Sequence, residues 1–238
     1  MLRHYLHFSV LLILAFFCLP YFSYAGDPVP IDSVNYKRIQ HKKIRKLISA
    51  QKQFGISTFD DIHPVCYQTA DSNAYRIYKK TQLIRQDINV VWNNLTRQSL
   101  NAEFDGHIVT LGLLYSKSQK NIKYKNESDV SVEEGQILFF NLRVLRGLTN
   151  IAVALEVTRL DNDQKKVEYC YIDHGKTKGT QEFSLKPTPE GFTEITQTTR
   201  YSCKSRIRDR RLYSFFHDRI VMEFFDTIKN KSEGKKML

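Results

Sequence analysis

A histidine on the apolar face of a helical pattern is the residue in this chain with the clearest capacity for chemistry. His217 lies within a stripe of large side chains near the C-terminus. The stripe recurs at helical spacing and consists of Tyr213, Phe216, Ile220, Phe224 and Ile228. An imidazole in this position can hydrogen-bond the head group of a ligand or transfer a proton. The more common alternative is structural, with a backbone carbonyl or a tyrosine satisfying the ring.

Other chemical signatures are missing from the sequence. It contains no Gly-x-Ser-x-Gly motif, no His-Glu-x-x-His motif and no glycine-rich phosphate loop. Asp60, Asp61 and His63 are close in sequence, but surface carboxylates in a connector explain them. His174 beside Asp173 fits a solvated turn. We therefore assign no catalytic residue, no metal ligand and no cofactor, and we leave open whether the chain is an enzyme.

Composition indicates one medium-sized folded domain with a basic surface. The chain has 238 residues, of which 42% are hydrophobic, and its net charge is +11. The hydrophobic fraction is compatible with a packed core. The positive excess favours anionic partners such as lipid head groups, although a solvated basic surface is the simpler explanation.

The first 25 residues have the pattern of an export signal. Arg3 precedes a nearly unbroken apolar run over residues 6–19, and Ser23 and Ala25 present small side chains at the two positions that a signal peptidase reads. We expect cleavage after Ala25 and a periplasmic or secreted protein, which argues against nucleic acid as a partner. The alternative is a membrane anchor over residues 5–24, because the apolar run approaches the length of a membrane span.

Three cysteines would remain after cleavage: Cys66, Cys170 and Cys203. None has a neighbour at metal-ligand spacing, so a zinc site is not expected. Export would permit one disulfide, and Cys170 can pair with Cys203 if their strands are neighbours. The alternative, which we favour, is that all three are small buried side chains.

A basic helix is expected within residues 36–54, ending at Gly55. Ile44, Leu47 and Ile48 form a narrow apolar stripe among many lysines and arginines. Such a helix can rest on an anionic membrane surface. The more common alternative is a solvated helix packed loosely on the domain.

The remaining chain predicts an antiparallel sheet closed by a long helix. A strand over residues 74–84 precedes a short helix that Asp87 can cap. Further strands are expected over residues 108–115, 136–145, 151–160, 167–172, 180–186 and 192–202. Residues 121–134 are polar and contain at most an edge strand. The amphipathic helix over residues 206–229 ends the pattern, which makes the fold class α+β.

This order resembles the helix-grip layout of the START-like, or SRPBCC, superfamily, which includes polyketide cyclases and Bet v 1-like plant proteins. Local features that carry the resemblance are the strand and helix at residues 83–95, with Val91, Trp92 and Leu95, and the hairpin at residues 179–195, followed by the closing helix. The turn before the first helix departs from the family, because it lacks the usual proline. The resemblance implies a curved antiparallel β-sheet wrapped around a long C-terminal helix.

The expected organisation has four parts. A signal peptide covers residues 1–25, a basic N-terminal extension with a short helix covers 26–66, a START-like domain covers 67–230 and a disordered tail covers 231–238.

The resemblance also implies a hydrophobic small molecule or lipid bound in a cavity between the sheet and the closing helix. Concave apolar sites bind such ligands, and each buried methylene contributes ~0.8 kcal/mol. The expected lining residues are Phe139, Val153, Leu155, Tyr169, Tyr171, Phe183, Phe216, His217, Ile220 and Phe224. Arg143 and Gln181 can contact a head group if their strand register points them inward. For each apolar residue taken singly, the alternative is a place in a closed core.

Two functions of other classes remain open. One is a cyclase- or dehydratase-type enzyme that uses His217 with Tyr169 or Tyr171, which a His217 sealed against the backbone would exclude. The other is a non-catalytic interaction module whose basic clusters, at the N-terminal helix and at residues 204–211, bind an anionic partner.

Overall fold

The computed structural model describes residues 26–97, 106–125, 127, 131–144, 148–203 and 213–234. The predicted signal peptide and the basic cluster at residues 204–211 lie outside these ranges. None of the helices in the described part of the chain combines the length and the apolar character that a membrane span requires.

Nine strands in these ranges form one antiparallel sheet. They are β1 (Pro64–Val65), β2 (Arg76–Ile84), β3 (Val109–Ser116), β4 (Asn121–Tyr124), β5 (Gln136–Val144), β6 (Thr149–Asp161), β7 (Lys166–Ile172), β8 (Thr177–Pro187) and β9 (Thr193–Cys203). Their order across the sheet is β2-β9-β8-β7-β6-β5-β3-β4, and β1 pairs with the end of β7. Strands β5 to β9 are neighbours in chain order, so they form successive hairpins. The predicted antiparallel meander is confirmed.

Three α-helices accompany the sheet in the described ranges. They are α1 (Lys42–Gln51), α2 (Ile88–Thr96) and α3 (Tyr213–Ser232). The predicted N-cap of α2 is confirmed, because the Asp87 carboxylate accepts a hydrogen bond from the backbone N–H of Asn89 at 2.8 Å. Helix α3 continues through Ser232, so the first residues of the predicted tail are helical. The fold class is α+β, as predicted.

Strand β8 begins at Thr177, whereas the sequence predicted a strand from residue 180, so Gly179 lies inside the ladder. Gly179 has a φ of +129° and pairs with Tyr201 of β9. A Cβ atom there would lie 1.9 Å from the carbonyl oxygen of Arg200. Glycine is therefore required by the close approach of the two backbones, which a sequence pattern cannot distinguish from a turn.

The sheet has an apolar core on each face. On one face, α2 and α3 cover an inner core that includes Trp92, Leu155, Phe183, Phe224 and Phe225. On the other face, the N-terminal extension covers an outer core that includes Ile31, Ile48, Phe59, Leu113 and Phe139. The extension is therefore an integral layer of the fold.

Helix α1 packs closely against the outer face. Ile44 and Ile48 are completely buried, which excludes the loosely packed helix that was one expectation. Gly112 of β3 makes room for the contact, since a Cβ atom at this position would lie 2.4 Å from Cδ1 of Ile44. The apolar stripe of α1 is thus used inside the protein, and only its basic side faces solvent.

A disulfide joins the extension to the sheet. Cys66, immediately after β1, is bonded to Cys170 of β7. The pairing of Cys170 with Cys203 that the sequence left open is wrong, because β8 lies between β7 and β9. Cys170 pairs with Thr180 of β8, and Cys203 pairs with Thr177 of the same strand. The favoured alternative of three buried thiols fails because two of the three cysteines form this bond.

Candidate functional site

Helix α3 is fixed over the sheet by polar contacts along its length. The Asp218 carboxylate accepts hydrogen bonds from the Tyr78 hydroxyl and from Lys80 Nζ, both of β2. One turn further, Glu223 accepts from the backbone N–H groups of Ile108 and Val109, at 3.0 Å and 2.9 Å. These contacts tie the helix to two distant parts of the sheet, so they define the space between them.

Aromatic rings pack together in the inner core beneath α3. Phe183 of β8 is central, because its ring centroid lies 4.8 Å from that of Phe224 and 6.0 Å from that of Tyr169. The predicted lining residues that meet in this core are Val153, Leu155, Tyr169, Tyr171, Phe183, Ile220 and Phe224. Phe216 is half-buried and its ring contacts that of Phe215.

Two of the predicted site residues face away from this space. Phe139 lies in the outer core, whereas its neighbours Leu138 and Phe140 lie in the inner core. Arg143 has the same strand parity as Phe139 and is exposed. Side chains alternate between the two faces of the sheet along a strand, so a one-residue error in the register of β5 places both Phe139 and Arg143 on the wrong face. Neither residue lines the space under α3.

A buried polar cluster lies where α3 begins. It consists of Tyr171, Gln181, Gln197, Thr199, Tyr213 and His217. These side chains come from β7, β8, β9 and α3, and they form one chain of hydrogen bonds. The inner core is therefore apolar for most of its length and polar at one end.

The first half of the cluster connects two tyrosines to a glutamine. Gln181 Nε2 donates to the Tyr171 hydroxyl at 2.9 Å, and that hydroxyl also hydrogen-bonds the hydroxyl of Tyr213. Burial raises the pKa of Tyr171 to about 12. It also raises the pKa of Tyr213 well above its ordinary value. Both phenols are therefore neutral at physiological pH.

The second half of the cluster leads to the histidine. Gln197 Nε2 lies 3.4 Å from Gln181 Oε1 and also donates to the hydroxyl of Thr199. The Thr199 oxygen lies 3.1 Å from Nε2 of His217. Thr199 is therefore the hydrogen-bond partner of His217 Nε2. The structural alternative assumed a backbone carbonyl or a tyrosine hydroxyl in this position.

His217 is enclosed by aromatic rings. The Tyr213 ring is stacked on it at 5.0 Å, and the Tyr78 ring meets it edge-on at 4.9 Å. Only 5% of the residue is exposed. This burial lowers the pKa of His217 to about 4, despite the opposing charge of Asp218. The imidazole is neutral at pH 7.

The tautomer of that imidazole sets the character of its two nitrogens. The Thr199 oxygen accepts from Gln197 and can either donate to His217 Nε2 or accept from it, since a hydroxyl has one proton and two lone pairs. When Thr199 donates, the imidazole carries its proton at Nδ1.

Two buried atoms of the cluster have no hydrogen-bond partner among the described residues. They are Nδ1 of His217 and Oε1 of Gln197, an acceptor. An unsatisfied buried polar atom costs about 1–3 kcal/mol, so native proteins rarely retain one without a reason. A water molecule or a polar group of a ligand would satisfy these atoms.

Sequence reasoning missed Gln197 and Thr199. They follow Ile195 at alternate positions on β9, and all three are completely buried. Polar residues at alternate strand positions usually indicate the solvent face, so this pattern was uninformative. The pairing of β9 between β2 and β8 supplies the missing information.

A second feature lies on the extension. Tyr36 and Ser49 border an open surface pocket of about 420 Å³ together with Lys42, Arg45 and Lys46. Three of the five lining side chains carry a positive charge. Within the described ranges, no group of histidine, cysteine and carboxylate side chains has the geometry of a metal site.

Comparison with known proteins defines the fold. No family model matches the chain, and no curated protein matches it. Among solved structures, norcoclaurine synthase of Thalictrum flavum, a point mutant in complex with a transition-state analogue, has a TM-score of 0.50 at 11% identity. The match covers 67% of this chain and 95% of that one. The protein TTHA0849 of Thermus thermophilus has a TM-score of 0.50 at 10% identity, with 67% and 98% covered.

These similarities establish the fold alone. They confirm the helix-grip architecture that the sequence resembled.

Proposed function

We propose that this chain, whose fold is of the Bet v 1-like helix-grip type, binds a hydrophobic small molecule or lipid between the sheet and α3. The observation that carries the proposal is the inner core itself, which is apolar but ends in a buried polar cluster with two unpartnered atoms. An apolar tail would lie against Phe183 and Phe224, while a polar head would reach His217. Each buried methylene would contribute ~0.8 kcal/mol, so a long tail provides most of the affinity.

Ligand binding is expected to be visible as both a bound molecule and a gain in stability. Organic extraction of the purified protein, followed by mass spectrometry, should release a hydrophobic compound. Protein stripped of it should bind a neutral fluorescent hydrophobic probe, and free ligand at 100 times its Kd should raise the free energy of unfolding by about 2.7 kcal/mol.

A pair of phenylalanine variants locates the site. Phe183→Leu, in the inner core, is expected to change the affinity for the probe severalfold. Phe139→Leu makes the same chemical change in the outer core and should leave the affinity unaltered. Absence of any extracted compound, together with no ligand that raises the melting temperature, would refute the proposal.

A cyclase- or dehydratase-type enzyme is the weaker candidate. Tyr171 is linked to His217 through Tyr213, but Tyr169 packs on Phe183 instead. A pKa of about 4 makes the His217 imidazole a poor general base at neutral pH. The same properties suit a neutral hydrogen-bonding group in a binding site.

Export to an oxidising compartment is part of the proposal. The predicted signal peptide motivates it, with an anchor over residues 5–24 as the alternative. The Cys66–Cys170 disulfide supports it, because disulfides persist outside the reducing cytosol.

We further propose that the protein adsorbs to an anionic membrane surface through α1. Its apolar stripe is buried against the sheet, so insertion into the membrane is not the mechanism. The mechanism is instead electrostatic and uses the exposed side chains of Lys42, Lys43 and Lys46. Each positive charge near the membrane surface contributes about 1 kcal/mol to binding. Ligand exchange with a membrane would benefit from such contact.

Adsorption is expected to depend on charge and salt. The protein should co-sediment with vesicles containing phosphatidylserine but not with phosphatidylcholine alone, and about 0.5 M salt should abolish binding, since it shortens the screening length to roughly 4 Å. Replacing Lys42, Lys43 and Lys46 by glutamine should weaken binding at least about tenfold. Exposed lysines elsewhere provide the matched control, with Lys79, Lys176 and Lys186 replaced by glutamine. Equal losses in the two triple variants would contradict a role for α1.

A further inference from the structure

We propose that this protein forms a homodimer through the free edge of β2. The two copies of the strand run antiparallel, and Lys80 faces Lys80 of the partner subunit. The two sheets then continue into each other across a two-fold axis. This proposal is independent of ligand binding, because it rests on the edge of the sheet and on the side chains of a single strand.

Strand β2 is the long open edge of the sheet. Within the described residues it pairs with β9 alone, residue for residue from Arg76 to Ile84, without a bulge. The opposite edge, β4, has only four residues. Proteins protect sheet edges with bulges, prolines, charges or short strands, and β2 has neither a bulge nor a proline. Alternate backbone N–H and C=O groups of β2 point away from β9, so they can pair with a further strand.

Two exposed apolar side chains on β2 fit a second copy of the same strand. Ile77 is 69% exposed and Leu83 is 45% exposed. Both lie on the outer face, because Tyr78 and Lys80 contact Asp218 of α3 on the inner face. Ile77 and Leu83 are equally far from Lys80 in sequence. Antiparallel pairing centred on Lys80 therefore places Ile77 opposite the partner's Leu83, and does so twice, which covers all four side chains.

The lysines of β2 do not oppose this register. Lysine on an edge strand commonly prevents pairing, because like charges meet. Here Lys80, at the two-fold axis, is paired with Asp218 at 2.7 Å. Lys79 lies opposite the partner's Thr81, so its charge meets a hydroxyl group. Moving the axis to residue 79 would instead place Lys79 directly opposite the partner's Lys79, so the charges favour the same register as the apolar side chains.

Association is expected to be weak and to depend on concentration. Pairing of two nine-residue strands buries less surface than a permanent interface, so the dimer belongs with transient complexes. Sedimentation equilibrium of the purified protein, from low micromolar to nearly millimolar concentration, should show an average mass that rises from one chain toward two. The mass of a single chain over the whole range would overturn the proposal.

Opposite charges at one position test the register. Thr81 lies opposite the partner's Lys79 twice in the dimer. We expect Thr81→Lys to raise the Kd of the dimer about tenfold, because it adds two repulsive pairs, and Thr81→Glu to lower it severalfold, because it adds two attractive pairs. Both variants lose the hydrogen bond between the hydroxyls of Thr81 and Thr196, so that loss cancels in the comparison. A change of the same sign and size in both variants would contradict this register.

A cysteine at the two-fold axis reports the pairing directly. In a Cys203→Ala background, a short bifunctional maleimide should join Lys80→Cys to its copy. Gln82→Cys is the matched control on the same face of β2. It lies two residues from the axis, so four residues, or about 14 Å along the strands, would separate the two thiols. Cross-linking of Gln82→Cys as efficient as that of Lys80→Cys would overturn the proposed pairing. This comparison decides the question even if a Thr81 variant does not fold.

Discussion

Removal of the Cys66–Cys170 disulfide is expected to lower the free energy of unfolding by about 2–5 kcal/mol. The bond joins residues separated by 104 positions, so it restricts the unfolded chain strongly. In the folded state it fixes the end of the extension beside β7. The measurement is urea unfolding of the double variant Cys66→Ala/Cys170→Ala beside the unmodified protein.

The third cysteine provides the control for this experiment. Cys203 is outside the disulfide, so Cys203→Ala should retain the full stability and the full sensitivity to a reducing agent. The double variant should be insensitive to the reducing agent. If all three proteins unfolded at the same urea concentration under oxidising and reducing conditions, the disulfide would contribute nothing to stability.

Acidification is expected to destabilise the protein through His217. The pKa of this residue is about 4 in the folded state and about 6.5 in the unfolded chain, so the unfolded chain binds the proton first as pH falls. The full contribution of the neutral imidazole is present above about pH 6.5 and is lost progressively between about pH 6.5 and 4. The difference in pKa corresponds to about 3 kcal/mol.

The pH dependence can be assigned by substitution. Between about pH 7 and 4, His217→Leu should lose about 3 kcal/mol less stability than the unmodified protein. Exposed His107 offers the control His107→Gln, which should retain the acid sensitivity. Burial raises the pKa of Glu156, so this residue stabilises the fold as pH falls through that pKa. Glu156 is present in the unmodified protein and in both variants, so its contribution cancels when their pH profiles are compared. A profile of His217→Leu parallel to that of the unmodified protein would contradict the assignment.

The architecture was largely predictable because hydrophobic periodicity is a local property. Alternation along β6 and the helical stripe through Phe224 identify their elements without knowledge of their neighbours. The cap at Asp87 is similarly local. Pairing is not local, which is why the sequence predicted neither the passage of β8 through Gly179 nor the Cys66–Cys170 disulfide.

The site was less predictable than the fold. His217 stood out because a titratable residue interrupts an apolar stripe. Gln197 and Thr199 did not, since inward and outward polar residues have the same period on a strand. Phe139 was assigned to the wrong face for the same reason.

The close contact of Ile44 with Gly112 has a consequence for assembly. An uncovered apolar face on a sheet of this size would be a docking surface for another protein, yet here the chain covers that face with its own N-terminal segment. The N-terminal segment occupies the surface that another protein would otherwise cover. Because the segment is covalently attached, its effective concentration at this surface exceeds that of a separate protein. Self-association of this protein would have to use surfaces other than the broad face of the sheet.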